Sequence, residues 1–316
     1  MTVPRTDLAL EAADDLAARA KKFSLPEGIQ RLESLQEGYP VTDIRVTGDG
    51  ARTLGKPAGR YITVDLTPCF QRQQAFFHRA VWCIAYQLRA LLPHVGRRSQ
   101  VLVVGLGNRN VTADALGTRV VERTLVTRHL GESLAREMRG RLRGVSAIAP
   151  GVLGLTGIET AELCRGLIQR VRPAAVVAID ALAAFDSGRI CSTIQITNTG
   201  IEPGSGVGNH RLGLTEETLG VRVIAVGVPM VVYASTIARD AMARLMEEYH
   251  VDSGDHSEAA GRLLQQVADG FLGNMVVTPR EIDEMVLSVA DLLSEGLNRA
   301  LQPSLDEETL HTYLHA

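Results

Sequence analysis

Short, apolar runs alternate with helix-like segments in the middle of the chain, and this alternation limits the possible folds more than any other feature. The clearest runs are 101–104, 174–179 and 221–226, which consist of Val, Leu, Ile and Ala except for Arg222. Such runs are typical of strands covered on both faces in a parallel sheet. The segments between them have helical spacing, as crossover helices do. The sequence therefore predicts an α/β fold with a doubly wound, mostly parallel sheet flanked by helices.

The same patterns predict further elements along the chain. Strands are expected at 146–149 and 192–197, and helices at 8–35, 71–92, 113–130, 158–171, 230–248, 257–269 and 279–301. Residues 41–46 and 61–66 alternate and flank a Gly-rich loop, which predicts an N-terminal β-hairpin/helix elaboration of the sheet. In the last helix Thr278 is the expected N-cap, with Pro279 at the first position and Glu281 completing a capping box.

Composition and charge exclude several classes of protein. The 316 residues include 33 Lys and Arg against 36 Asp and Glu, a formal net charge of −3. This balance does not fit a generally basic nucleic-acid binder or a polybasic membrane-surface protein. The polar N-terminus has no signal-peptide core, and no apolar run approaches the ~20 residues of a membrane span. We therefore expect a cytoplasmic protein that contacts neither nucleic acid nor membrane directly.

The cysteines and the known phosphate motifs give no cofactor signal. The four cysteines are scattered without a C-x-x-C pair, so they are interpreted as small buried apolar side chains: Cys69, Cys83, Cys164 and Cys191. The loop 105–110 lacks the third glycine of a dinucleotide-binding fingerprint, and no P-loop is present. The sequence predicts no metal and no cofactor.

Two aspartates are the sharpest candidates for catalysis. Asp180 follows six apolar residues, and Asp114 follows the polar loop after the run 101–104. The carboxyl ends of parallel strands meet at one edge of the sheet, where open α/β folds bind ligands. Two carboxylates placed there could share a proton and activate a water molecule. Alternatively, Asp180 caps the following helix and Asp114 is an N-cap.

Two glycine-rich loops are candidates for holding an oxyanion or the main chain of a substrate. One contains Gly107 and Asn108, and the other contains Gly204, Ser205 and Gly206. Glycines leave backbone N–H groups uncovered, which suits an anion-binding nest, although a merely tight loop has the same composition. His129 and His210 could assist acid–base chemistry, or could be ordinary surface residues.

The order of motifs along nearly the whole chain resembles the spore germination protease (gpr endopeptidase) family. The matching segments are 5–9, 104–108, 111–117, 150–152, 156–160, 179–184, 193–196, 200–201, 203–209, 274–279 and 296–298. The resemblance implies a fold akin to hydrogenase-maturation proteases. It also implies an endopeptidase that degrades small acid-soluble spore proteins during germination, in the spore core. The family's two essential aspartates match Asp114 and Asp180.

The resemblance further implies a zymogen that trims its own N-terminus and assembles as a homotetramer. The segment Thr6-Asp7-Leu8-Ala9 has the family's cleavage arrangement, so Asp7–Leu8 is the expected processing bond. That role requires an exposed, extended segment, whereas Thr6 or Asp7 could instead cap a helix that begins near Leu8. Residues 1–7 would then be a short prosegment and 8–316 a single peptidase domain with its core at about 99–249.

Two alternatives to an aspartic-type peptidase remain at this stage. The same acids could ligate a metal, as in maturation-type peptidases, with one more His, Asp or Glu. A non-enzymatic α/β binding module is the second alternative, although the missing phosphate fingerprints argue against a nucleotide-binding one.

Overall fold

A computed structural model provides the fold. It describes residues 6–20, 25–67, 74–92, 99–130, 142–204, 211–248, 270, 272, 275–306, 308–309 and 312. Within these ranges no helix is both long and apolar enough to span a membrane.

One sheet organises the described part of the chain. Its strands are β1 (Ile29–Gln36), β2 (Tyr39–Val46), β3 (Gly59–Asp65), β4 (Gln100–Gly105), β5 (Gly144–Ile148), β6 (Ala175–Ala184), β7 (Thr193–Thr197), β8 (Arg222–Tyr233) and β9 (Val276–Val277). The spatial order is β1-β2-β3-β7-β8-β6-β4-β5, and β9 pairs with β8. Strands β5, β4, β6 and β8 are parallel, whereas β7, β3, β2 and β1 continue the sheet with antiparallel pairings.

Helices cover both faces of the sheet. They are α1 (Ala9–Ala20), α2 (Gly48–Leu54), α3 (Gln74–Leu91), α4 (Leu116–Glu122), α5 (Leu153–Thr156), α6 (Thr160–Val171), α7 (Glu216–Leu219), α8 (Ala234–Glu248) and α9 (Ile282–Leu301). In β4, Val101 and Val103 pack into a core that includes side chains of α3, α4 and α9. The alternate residues Leu102 and Val104 pack into a second core with α6 and α7. This alternation confirms that the apolar run is a strand covered on both faces.

The prediction of a mostly parallel sheet is wrong, because the sheet is mixed. The four predicted apolar strands of the α/β body are parallel, but residues 29–65 and β7 add antiparallel strands to the same sheet. The predicted pairing of 41–46 with 61–66 is confirmed, with α2 in the connection. The tight hairpin lies earlier, between β1 and β2, where Glu37 and Gly38 have φ of 54° and 86°. Positive φ at both central residues is the geometry of a two-residue hairpin turn.

Several predicted helices have different limits in the structure. The helix expected at 8–35 ends at Ala20, and its second half contains β1, because pairing with β2 overrides the helical spacing. The segment 113–130 is helical only as α4 between short 3-10 turns, and α8 starts later than expected because β8 continues to Tyr233. The helix expected at 257–269 lies outside the described residues.

The predicted capping box of the last helix is also wrong. Helix α9 begins at Ile282, and its N-cap Glu281 makes no side-chain capping bond. Thr278 instead donates its hydroxyl to the carbonyl oxygen of Met230 at 2.8 Å. The residue thus fastens the β9 segment to β8. Likeness to hydrogenase-maturation proteases, and an N-terminal addition relative to them, stay predictions.

Candidate active site

Asp180 lies inside β6, beside a gap in the sheet. Its neighbour β4 ends at Gly105, opposite Ile179, whereas β8 continues alongside Asp180 and beyond. The prediction that Asp180 directly follows the end of its strand is therefore wrong, because residues 181–184 go on pairing with β8. The carboxyl end of β4 still leaves Asp180 next to a crevice, as the fold-level argument requires.

The Asp180 carboxyl group is buried among other carboxylates. Asp180 is 5% exposed, and its Oδ1 accepts a hydrogen bond of 2.9 Å from the N–H of Ala181. Burial raises the pKa of Asp180 well above its usual range, and the charges of Asp114 and Asp7 raise it further against that one hydrogen bond. Desolvation and nearby like charges both disfavour the ionised form. Asp180 therefore retains its proton to higher pH than an ordinary aspartate does.

Asp114 lies in the short 3-10 turn 112–114 that precedes α4. Its Oδ2 accepts a 2.8 Å hydrogen bond from the N–H of Asn108, and the N-cap of α4 is Ala115. The alternative that Asp114 caps the helix is therefore wrong. Burial raises the pKa of Asp114, and the bond from Asn108 partly opposes this rise.

Gly107 allows the loop to close around Asp114. Its φ is 98°, and a Cβ atom at this position would lie 1.9 Å from the Asp114 carbonyl oxygen. Only glycine fits such a contact in the left-handed region. The neighbouring N–H of Asn108 donates to Asp114, so this loop positions the acid. Its predicted role as an oxyanion donor stays a prediction.

A cavity of about 270 Å³ brings the predicted acids together. Its lining includes Asp7, Gly107, Asp114, Asp180 and Gly204. The structure thus places one predicted processing residue, both predicted acids and two of the predicted loop glycines around one space. Ser205 and Gly206 belong to a stretch that the structure does not describe, as does His210. His129 is exposed and does not line this cavity.

The N-terminal segment is fixed on the end of β6. The N–H of Asp7 donates to the carbonyl oxygen of Ala183 at 3.1 Å, and the N–H of Ala183 donates to Asp7 Oδ2 at 2.9 Å. Leu8 is fully buried against Leu182, Ala184 and Val232. The expectation of an exposed segment is therefore wrong at Leu8. Its apolar side chain completes a small core at the end of β6 and β8.

Thr6 forms a turn ahead of α1. Its Oγ1 accepts a 3.0 Å hydrogen bond from the N–H of Leu8, and α1 begins at Ala9. The carbonyl oxygen of Leu8 accepts from the N–H of Ala12, so Leu8 holds the N-cap position. The alternative that Thr6 caps the helix is therefore wrong. The turn coexists with the docking of Asp7 beside the acids.

A second cavity, of about 310 Å³, is lined by Thr6 and Asp7 of this segment. Asp7, Leu182 and Glu202 line both cavities, so the two cavities adjoin at these residues. Lys56 and Gln195 line only the second one. Lys56 Nζ donates to the carbonyl oxygen of Thr6 at 2.8 Å. Burial lowers the pKa of Lys56, opposed by the charges of Asp7, Glu11 and Glu202.

Thiol and metal chemistry have little support in the described part of the chain. Cys83, Cys164 and Cys191 are buried and free, which confirms the interpretation of these three. Burial is the main cause that raises the pKa of their thiols to about 12, 11 and 12 respectively, far from the range of a thiolate nucleophile. Cys69 lies outside the described residues. Within the described ranges no group of three or more His, Cys, Asp or Glu is placed to hold a metal ion.

Comparison with known proteins assigns the chain to a family. A family model described as germination protease matches residues 6–268. The germination protease of Caldanaerobacter subterraneus subsp. tengcongensis is 43% identical over 323 aligned positions that cover 98% of each chain. Those of Clostridium perfringens and Bacillus cytotoxicus are 39% and 35% identical, over 98% of this chain in both cases and over 99% and 97% of their own lengths.

The chain belongs to the germination protease family. It is therefore a peptidase of spore germination, and the resemblance drawn from its motifs is confirmed. Both acids and the Asp7–Leu8 bond lie within the matched residues.

Sequence reasoning missed three polar residues around the N-terminal segment of this germination protease. They are Glu11, Lys56 and Gln195, which contact residues 6–9 or the end of β6. Gln195 gave the one available signal, because it lies in the family motif 193–196, although in β7 it takes a polar position of an alternating strand. Glu11 and Lys56 look like ordinary surface residues in the sequence, yet the fold buries Glu11 and half-buries Lys56.

Proposed function

We propose that this germination protease is an endopeptidase that initiates the degradation of small acid-soluble spore proteins, and that it is made as a zymogen which removes its own residues 1–7. The observation that carries the proposal is the shared cavity of Asp7, Asp114 and Asp180. Asp7 contributes the carbonyl group of the expected processing bond. The family assignment supplies the class of reaction, and the cavity supplies the acids and a bond for them to cleave.

The aspartate pair activates water in this proposal. Asp114 accepts a proton from a water molecule, whose oxygen attacks the carbonyl carbon of Asp7. Asp180, whose pKa is raised more strongly, donates its proton to the nitrogen of Leu8 as the C–N bond breaks. One water molecule is consumed, and a carboxyl group and an amine are formed. Two neighbouring carboxyls that share one proton suit this division of roles.

The docking of the N-terminal segment supports the zymogen. Asp7 lines both cavities and occupies both the N–H and the carbonyl oxygen of Ala183. Loss of residues 1–7 frees these two backbone groups at the end of β6. An extended substrate can then bind them as an added strand does. The prosegment is thus both the first substrate and the inhibitor.

Assembly as a homotetramer in the spore core is part of the same proposal. Strand β1 forms one edge of the described sheet, and Leu32 and Leu35 on it are 53% and 74% exposed. Edge strands with exposed apolar side chains favour association with another chain. This surface supports self-association.

The experiment follows the N-terminus of the purified full chain by mass analysis at mildly acidic and at neutral pH. We expect a new terminus at Leu8 in the wild type and none in Asp180→Asn, with cleavage of a small acid-soluble spore protein following processing. Asp65→Asn is the matched control, because Asp65 lies at the end of β3, accepts hydrogen bonds from Thr67 and lines neither of the two cavities. A terminus that stays at Met1 or Thr2 in a chain that degrades the spore protein would contradict self-processing.

A further inference from the structure

The side chain of Gln195 bridges the two sides of the Asp7–Leu8 bond. Its Nε2 donates to the carbonyl oxygen of Asp7 at 3.1 Å, and its Oε1 accepts from the N–H of Ala9 at 2.7 Å. The first contact is to the oxygen of the expected scissile peptide itself. The second is to the N–H of the next peptide along.

These two contacts fix the orientation of the amide. A carbonyl oxygen only accepts and a backbone N–H only donates, so Nε2 has to face Asp7 and Oε1 has to face Ala9. Gln195 is 6% exposed, and its backbone is held in β7 between Thr63 of β3 and Gly227 of β8. The donor is therefore set in place by the sheet before any reaction occurs.

The position of Gln195 relative to the acids matters for the chemistry. Gln195 lines one cavity, Asp114 and Asp180 line the other, and Asp7 lines both. The oxygen of the Asp7 carbonyl group thus contacts the amide donor, and Asp7 also lines the cavity that contains the acids. In the proposed reaction, a water molecule activated by the acids attacks the carbonyl carbon while the oxygen remains bound to Nε2.

Other buried amides in the chain show what a purely structural role looks like. Gln302 is 1% exposed and bridges the N–H and the carbonyl oxygen of Arg143 at 2.9 Å each. Asn298 bridges the N–H of Leu125 and the carbonyl oxygen of Arg123. Both join scaffold segments far along the chain from the acids, and neither lines the two cavities. Gln195 makes the same kind of bridge, but around the bond that is to be cleaved.

We infer that Gln195 is a further catalytic residue, whose Nε2–H group polarises the scissile carbonyl and stabilises the oxyanion that forms when water adds to it. This inference rests on the proposed function, because it takes Asp7–Leu8 as the first substrate bond. After residues 1–7 leave, Nε2 loses its acceptor and becomes available to the corresponding carbonyl of a spore-protein substrate. Removal of one such donor costs ~10²–10³ in kcat in other hydrolases.

The test uses the full chain with Gln195→Glu and Gln195→Ala. Glutamate keeps the shape and the acceptor but loses the donor, and alanine loses both. Gln302→Glu and Gln302→Ala are the matched controls, since they remove the same kind of double backbone bridge. We expect the rate of appearance of the Leu8 terminus to fall about 10²-fold in the Gln195 variants and less than about 3-fold in the Gln302 variants. Thermal unfolding of all four shows the structural cost of each change.

A second measurement separates catalysis from capping of α1. The processed enzymes cleave a peptide that contains Thr-Asp-Leu-Ala, and we expect Gln195→Glu to lower kcat with little change in KM. If Gln195→Glu and Gln195→Ala fail to fold, Gln195→Asn keeps the amide but withdraws it from the carbonyl, and the same loss of rate is expected. Wild-type rates in folded Gln195 variants would overturn the inference alone. A wild-type chain that neither forms the Leu8 terminus nor cleaves the peptide would overturn both the proposed function and this inference.

Discussion

The parallel and the antiparallel halves of the sheet contribute to the candidate site in different ways. The parallel half, β5-β4-β6-β8, carries Asp180 and the loop that holds Asp114, both next to the carboxyl end of β4. The antiparallel half, β7-β3-β2-β1, presents buried polar side chains from the middle of strands, among them Thr63 and Gln195. The parallel half thus supplies the candidate acids, and the antiparallel half contacts the N-terminal segment through Gln195.

The difference shows which candidate functional residues can be placed from a sequence alone. In a parallel sheet the strands end at a common edge, so polar residues after apolar runs are known to converge. In an antiparallel sheet successive strands end at opposite edges, and a buried polar residue has no position defined by topology alone. Gln195 becomes a functional candidate only when residues 6–9 are seen lying against it.

The largest expected effect is the loss of activity when the acids of the parallel half are replaced. We predict that Asp114→Asn and Asp180→Asn each reduce peptide cleavage at least ~10²-fold, because proton transfer by the pair requires both carboxyls. Initial rates with the Thr-Asp-Leu-Ala peptide, beside circular-dichroism spectra that match the wild type, measure this. Asp65→Asn should leave the rate unchanged. Near-normal activity in either active-site variant would exclude the pair.

The next effect concerns the link between α1 and the end of β6. Glu11 is 5% exposed, and its carboxylate accepts from the N–H of Phe185 at 2.8 Å and of Asp186 at 2.9 Å. Glu11→Gln leaves one acceptor oxygen for the two N–H groups that now bond to a charged carboxylate, so we predict a loss of about 1–3 kcal/mol in the free energy of unfolding. Urea denaturation measures it.

The control for this prediction is an exposed glutamate in the same half of the molecule. The side chain of Glu33 is 66% exposed and pairs with Arg31 at the surface, so Glu33→Gln should cost less than about 1 kcal/mol. Equal effects of the two substitutions would show that α1 is not fixed to the sheet through Glu11.

A smaller effect is expected on how stability changes with pH, and we predict the direction of that change. Burial and the charges of Asp114 and Asp7 raise the pKa of Asp180 in the folded state above its unfolded value of about 3.9. The protonated Asp180 carboxyl therefore contributes fully to stability below the unfolded pKa, and this contribution is lost as pH rises through the folded pKa. Asparagine does not titrate, so the melting temperature of Asp180→Asn should rise relative to that of the wild type as pH rises from about 4 to 7. A difference that does not change with pH would contradict the raised pKa.

The smallest expected effect is that of chelation. Among the described residues no cluster of ligating side chains is placed for a metal ion, and the acids suffice for the proposed reaction. We predict that peptide cleavage by the processed enzyme survives exhaustive treatment with EDTA or phenanthroline. Loss of activity that one particular divalent ion restores would favour the metal-dependent alternative.

Much of the parallel half and both acids could be predicted because the signals are local. The runs at 101–104, 174–179 and 221–226 are apolar apart from Arg222, since both faces of those strands are covered. Asp180 follows such a run directly, Asp114 follows the loop after the run 101–104, and the family motifs contain both. The strand ends were less predictable, because β6 and β8 continue past their first polar or irregular residue by pairing with each other.

The sequence by itself determined the α/β class, the parallel strands, the two acids and the family. The tertiary structure alone decided that residues 29–65 join the same sheet, that Leu8 is buried, and that Gln195 lies against the Asp7–Leu8 bond. The physical reason is separation along the chain. Asp7 and Ala183 are 176 positions apart, and Ala9 and Gln195 are 186 apart, yet each pair shares a hydrogen bond. Periodicity reports which face of an element is buried, but not which distant segment covers that face.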